Sequence, residues 1–456
     1  MPLAFFTSSC RAYLNAAVLC TVTIFSLTHI TSVEAQIEFE REPIGYTDAT
    51  PHDPVARLQE RLNQGEITLQ FDNERGYLES VLEQLKISTA SQVLVYSKTS
   101  FQLRKIMPEK PRALYFNDDV YIGWVQGGDV LEVMAMDPNL GAVFYVLHQD
   151  QEEMPRFIRD QGQCLTCHAS SRTQGVPGGL VRSAFVAADG QPHFGAGTFT
   201  IDHTSPFDQR WGGYYVSGTH GQMRHMGNAI SPNRQEPEAI DREAGANVTD
   251  LSTLVDLEPY LTSHSDLVAL MVLEHQTQMQ NMFTLASFET RLAQHHDGIM
   301  NDALGRADDY VSDSTKRRIA SAGDKLLEYL LFKDEFQLTS PVSGSSEFTR
   351  EFAKRGLRDS QGRSLRDFDL QTRMFKYPCS YLIGSPGFRN LPRPAKQYVV
   401  TRLHKILIGR DDTPKFDHLS ANDRKAILEI LTDTQPELWD DIVSETAEKE
   451  AGLDVQ

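Results

Sequence analysis

Within five consecutive residues, Cys164-Leu165-Thr166-Cys167-His168, the chain carries two thiols and an imidazole in the pattern C-x-x-C-H. Two intervening residues let both sulfurs reach the two vinyl groups of one porphyrin as thioethers while the adjacent imidazole falls under the iron. The expected cofactor is one covalent haem c, held by Cys164 and Cys167, with His168 as the proximal iron ligand. Other uses of such a motif fit less well. A structural zinc site takes four Cys or His ligands in paired clusters, and no second C-x-x-C or spaced His pair matches it in this chain. A thioredoxin-like dithiol has no need of the following histidine.

The N-terminal residues point to the same compartment as the motif. Residues 1–35 read as a secretory signal peptide: Arg11 is the only basic residue ahead of a mostly apolar stretch from Ala16 to Ile30, and Val33-Glu34-Ala35 offers a small residue for cleavage before Gln36. An uncleaved anchor is the alternative, but the stretch contains Thr21, Thr23, Ser26, Thr28 and His29 and falls short of the ~20 residues of a membrane span. The expected location is periplasmic or secreted. Cys10 and Cys20 would leave with the signal, so Cys379 is the one thiol outside the motif, and its setting from Tyr377 to Ile383 predicts burial. The net charge of -18 repels nucleic acid and anionic lipid head groups. It suits a redox protein partner with a basic docking face, and no stable membrane insertion is expected after signal cleavage.

A length of 456 residues suggests two or three domains at about 150 residues each. Residues 36–54 are polar and carry Pro43, Pro51 and Pro54, and read as a leader. Two short amphipathic helices are expected next, spaced by Val55, Leu58 and Leu62 and by Tyr77, Leu78, Val81, Leu82 and Leu85. From Gln92 the pattern turns to β, with strands expected at 93–96, 113–116, 120–125, 130–136 and 142–147, punctuated by Asn117-Asp118, Gly127-Gly128 and Asp137-Pro138-Asn139. A helix over 153–167 would deliver the motif. A hairpin around Asp189-Gly190 and a return to the sheet at 211–216 complete a mixed α/β domain over 55–230. Residues 231–456 read as a mainly helical domain with an acidic tail from Asp440. Its helices are expected at 267–292, 317–332, 370–377, 396–407 and 421–431, the last opened by a Ser420 and Asp423 capping arrangement. The fold class is α+β: an antiparallel sheet domain carrying the motif, then a mainly α-helical domain.

The other axial position of the iron decides its chemistry. His220, His225 and Met226 lie on a Gly-rich loop after a strand and are the nearest candidates, His220 first because its backbone is best fixed. His275 competes from the apolar stripe of the long helix, one turn before Met279. Arg172, Arg182, Arg210 and Arg224 flank the motif and could pair with haem propionates, the first two and Arg224 being the preferred candidates. Trp211, Tyr214 and Tyr215 could pack on the porphyrin. No hydrolase or nucleotide-binding pattern reaches comparable strength.

On its C-x-x-C-H motif and export signal, the chain resembles the cytochrome c domain proteins of bacterial periplasms. The sheet around the motif departs from the small all-helical cytochrome c fold and is similar in architecture to sheet-based c-type haem modules, including PAS-like periplasmic sensors. The resemblance implies attachment through Cys164 and Cys167 and proximal ligation by His168. The expected function is one-electron transfer by a monohaem c-type cytochrome, an electron carrier rather than a stand-alone catalyst. A haem-based redox or gas sensor module and a peroxidase-like haem enzyme with an open distal site are the alternatives.

Overall fold

The computed structural model describes residues 38–440; the expected signal peptide and the acidic tail beyond Asp440 lie outside the described residues. Helix α1 (Pro54–Asn63) starts where Asp53 accepts the backbone N–H groups of Val55 and Ala56, and α2 (Leu78–Gln84) follows. Strands β1 (Val93–Val95), β2 (Arg112–Phe116), β3 (Val120–Trp124), β4 (Val130–Asp137), β5 (Gly141–His148) and β6 (Phe157–Arg159) then pair in chain order as one six-stranded antiparallel sheet. The Asp137-Pro138-Asn139 signal does form the β4–β5 turn. Asp137 Oδ1 accepts the N–H groups of Asn139 and Leu140, and Gly141 takes φ +73, where a Cβ would strike Thr284 and the Pro177 carbonyl.

Side-chain alternation sets what each face of the sheet touches. Val93 and Val95 join a core with Leu267 to Leu273, Leu326, Phe352 and Leu403, whereas Leu94 between them joins a core with Val55, Leu58, Val81 and Leu147. Phe39, Ile44 and Tyr46, from the segment expected to be a polar leader, are buried in this second core, and the Tyr46 hydroxyl donates to the Ala142 carbonyl.

After the sheet come the single-turn helix α3 (Leu165–His168), a small antiparallel pair β7 (Arg182–Ala184) and β8 (Thr198–Thr200), and the short strand β9 (Gly218–Thr219). Helix α4 (Leu267–Leu304) opens the C-terminal part, followed by α5 (Asp313–Leu330), β10 (Ser343–Gly344) paired with β9, α6 (Phe348–Lys354), α7 (Pro386–Arg389), α8 (Arg393–Leu407) and α9 (Ala421–Thr434). The capping box of Ser420 and Asp423 is present at α9. Among the described residues no helix is long and apolar enough to cross a membrane.

Four expected elements differ. Residues 153–167 form strand β6 and only one helical turn, because Phe157, Ile158 and Arg159 satisfy the open edge of β5. Arg159 then donates to the carbonyls of Tyr46, Thr47 and Ala49. Residues 211–216 border β1 through one bridge, Val95 to Tyr214, and positive φ at Trp211 and Gly213 prevents a continuous strand. Residues 370–377 are not helical: Leu370 has φ +54 and Phe368 bridges to Phe375. The long helix runs on to Leu304, where Gly305 caps it in the left-handed conformation, and it is buried on nearly all sides from Leu267 to Phe283 rather than along one stripe.

Candidate haem-attachment site

The motif is delivered by the edge of the sheet. The Asp160 N–H donates to the Phe144 carbonyl at 2.9 Å, and one Asp160 carboxylate oxygen accepts the N–H groups of Gly162 and Cys164, each at 2.9 Å. This turn starts the helix, and buried Leu165 holds it to the core. His168 N–H donates to the Cys164 carbonyl at 2.9 Å, so Cys164, Cys167 and His168 stand at i, i+3 and i+4 of one turn and share a face. Both thiols are free: Cys167 is exposed and Cys164 partly so. Burial, then the charge of Asp160 and a hydrogen bond to it, pushes the Cys164 thiol well up.

His168 is oriented by three separate elements. Its Nδ1 is 2.9 Å from the Gly178 carbonyl oxygen, while the Gly178 N–H donates to the His168 carbonyl at 2.8 Å. An N–H at Nδ1 leaves the lone pair on Nε2 available to a metal. Phe144 of β5 packs on the imidazole with ring centroids 4.9 Å apart. The Pro177 carbonyl accepts from Ala142 of β5, and the Gly179 carbonyl accepts from Asn281 of α4, so sheet and long helix together fix the loop behind the ring. Burial holds the His168 pKa below its ordinary value, which favours the neutral imidazole a metal needs.

The candidate propionate partners separate. Arg182 lies within electrostatic reach of Arg172 and Cys167, and burial and the Arg172 charge lower its pKa. Its Nε is a buried donor with no hydrogen-bond partner among the described residues, which fits an anionic group. Arg224 is committed to Glu243 at 2.6 Å, and Arg210 is buried against Glu274 and the Ser205 and His203 carbonyls.

The distal candidates are already engaged within the protein. His220 bonds through Nδ1 to the Met223 carbonyl at 2.8 Å and through Nε2 to the Asn247 N–H at 3.0 Å. His225 is 2 % exposed, accepts from Gly227 N–H, and lies among Phe207, Trp211 and His220. Met226 is buried, with its sulfur 3.7 Å from the Ser183 hydroxyl. His275 uses Nδ1 with His203 at 2.8 Å and Nε2 with Ser380 at 2.9 Å. Trp211, Tyr214 and Tyr215 are buried core residues.

Sequence reasoning missed His203, which stacks on Tyr329 and Phe332 with centroids 4.1 and 4.6 Å away and completes a buried cluster with His275, Arg210 and Glu274. Only tertiary contact joins these residues, so no local spacing could have disclosed the cluster. Among the described residues no three His, Cys, Asp or Glu side chains gather as a metal cage, an arrangement that a haem with one protein ligand on its proximal face does not require. No protein family, no curated protein and no solved structure matches the chain.

Proposed function

We propose that this chain is a monohaem c-type protein that passes single electrons outside the cytoplasm. Cys164 and Cys167 would bind the porphyrin through thioethers and His168 would ligate the iron. The observation that supports this best is the support of His168, whose Nδ1 is taken by the Gly178 carbonyl while its neighbours on the same helical face are two free thiols. Arg172 and Arg182 would receive the propionates, the buried Arg182 Nε gaining the partner it lacks. When bound, the group supplies a one-electron iron couple, whose potential depends on the second axial ligand and on burial. The protein's own part is to hold the imidazole neutral and fixed, and to present an acidic exterior to a basic redox partner.

The test is covalent attachment. Expressed with a c-type maturation system, the chain should stain for haem on a denaturing gel, and replacing both Cys164 and Cys167 by Ala should remove the stain. Staining that survives the double replacement refutes the assignment.

A further inference from the structure

With His220 and His275 bonded through both ring nitrogens and His225 and Met226 packed inside, the second axial ligand has to be sought elsewhere. Three described histidines carry a buried ring nitrogen without a hydrogen-bond partner: His193 and His203 at Nε2 and His264 at Nδ1. His203 is 1 % exposed and sandwiched by Tyr329 and Phe332, which leaves no approach for a macrocycle. His264 precedes α4, where its carbonyl accepts from Gln92 beside β1. His193 alone is tied to the motif.

That tie runs through Arg182. The guanidinium carbon of Arg182 lies 4.5 Å over the ring of Phe194, the residue after His193, and the same guanidinium lies within electrostatic reach of the Cys167 side chain. His193 is pinned through its N–H to the Phe185 carbonyl at 2.8 Å, and the bridge between Val186 and Pro192 closes the hairpin behind it. The segment it starts is open: Phe194 is 49 % exposed, and a Cβ built on Gly195 or Gly197 would meet nothing within 4 Å. Gly197 has φ +86, a conformation in which a side chain would be strained. An exposed phenyl ring under the Arg182 guanidinium, which is itself within electrostatic reach of Arg172 and the exposed Cys167, is apolar surface suited to a porphyrin edge.

We infer that His193 is the second axial ligand of the haem, which makes the iron bis-histidine; the inference rests on the haem reading above. Bis-histidine ligation gives a low-spin iron of lowered potential that resists added ligands. Full-length holoprotein carrying His193→Ala should lose the low-spin ferric spectrum, bind carbon monoxide when reduced, and regain the low-spin form on addition of imidazole. His193→Met should stay six-coordinate with a raised potential, which separates lost ligation from misfolding. His220→Ala and His275→Ala should leave the spectrum low-spin. A haem-stained wild type that is high-spin, or a His193→Ala variant that remains low-spin, overturns the inference while sparing the attachment claim. A wild type without haem stain overturns both.

Discussion

At the scale of single residues, Gly178 is the position on which the orientation of His168 turns. A Cβ there would lie 2.0 Å from Asn281 Oδ1, so Gly178→Ala must displace Asn281 or the loop that meets His168 Nδ1. Overpacking of this kind costs about 1–3 kcal/mol. Urea unfolding should show that loss, and adding Asn281→Ala should recover part of it. Equal stability of the single and wild-type proteins would mean the contact yields freely. At this scale the chain was readable where neighbouring residues set the environment: Cys379 is fully buried as its neighbours foretold. Which imidazoles are satisfied was not readable, since a loop histidine looks the same in sequence whether its nitrogens are bonded, as in His220, or one is orphaned, as in His193.

At the scale of elements, α4 lends residues to both cores, as the sheet does, and its start depends on one carboxylate. Asp266 is fully buried; Oδ1 accepts the N–H groups of Val268 and Ala269, and Oδ2 accepts the N–H groups of Ser345 and Ser346 and the Ser346 hydroxyl at 2.8 Å each. Loss of an N-cap costs about 0.5–2 kcal/mol, and each buried donor left unsatisfied adds about 1–3 kcal/mol. Asp266→Ala should therefore destabilise by at least about 3 kcal/mol in chemical denaturation, far beyond the effect of Asp313→Ala in the exposed first turn of α5. A loss under about 1 kcal/mol would show that water or Ser345 and Ser346 take over the cap. Elements whose pattern was periodic were legible, among them β2 to β5, α5, α8 and α9. The failures at 153–167 and 370–377 share a cause: short apolar segments do not distinguish helix from strand, and an open sheet edge or a backbone forced to positive φ at Leu370 settled them.

At the scale of the whole molecule, burial of histidines predicts acid sensitivity. Burial pushes His203 and His225 down to about 3, far below the ordinary value near 6.5. The unfolded chain binds protons at these sites below pH ~6.5 and the folded chain does not until pH ~3, so their contribution to stability is complete above that window and is lost as pH falls through it. Each histidine adds a slope of up to about 1.4 kcal/mol per pH unit. Burial raises Asp119 to about 6 and Glu335 to about 7, which acts with the opposite sign, so the variant must be compared with wild type. Between pH 6 and 4 the unfolding free energy of His225→Gln should fall less steeply than that of wild type, and parallel slopes would show that His225 does not titrate on unfolding. The α+β class and the run of antiparallel strands from β2 to β5 were legible from the sequence alone, because they follow from periodicity and from turn residues a few positions apart. Tertiary structure alone decided how His168 is oriented, which imidazoles are satisfied, and that Phe39, Ile44 and Tyr46 belong to a core. Hydrogen-bond partners and solvent exclusion depend on what the chain brings together from a distance, and residue spacing holds no record of it.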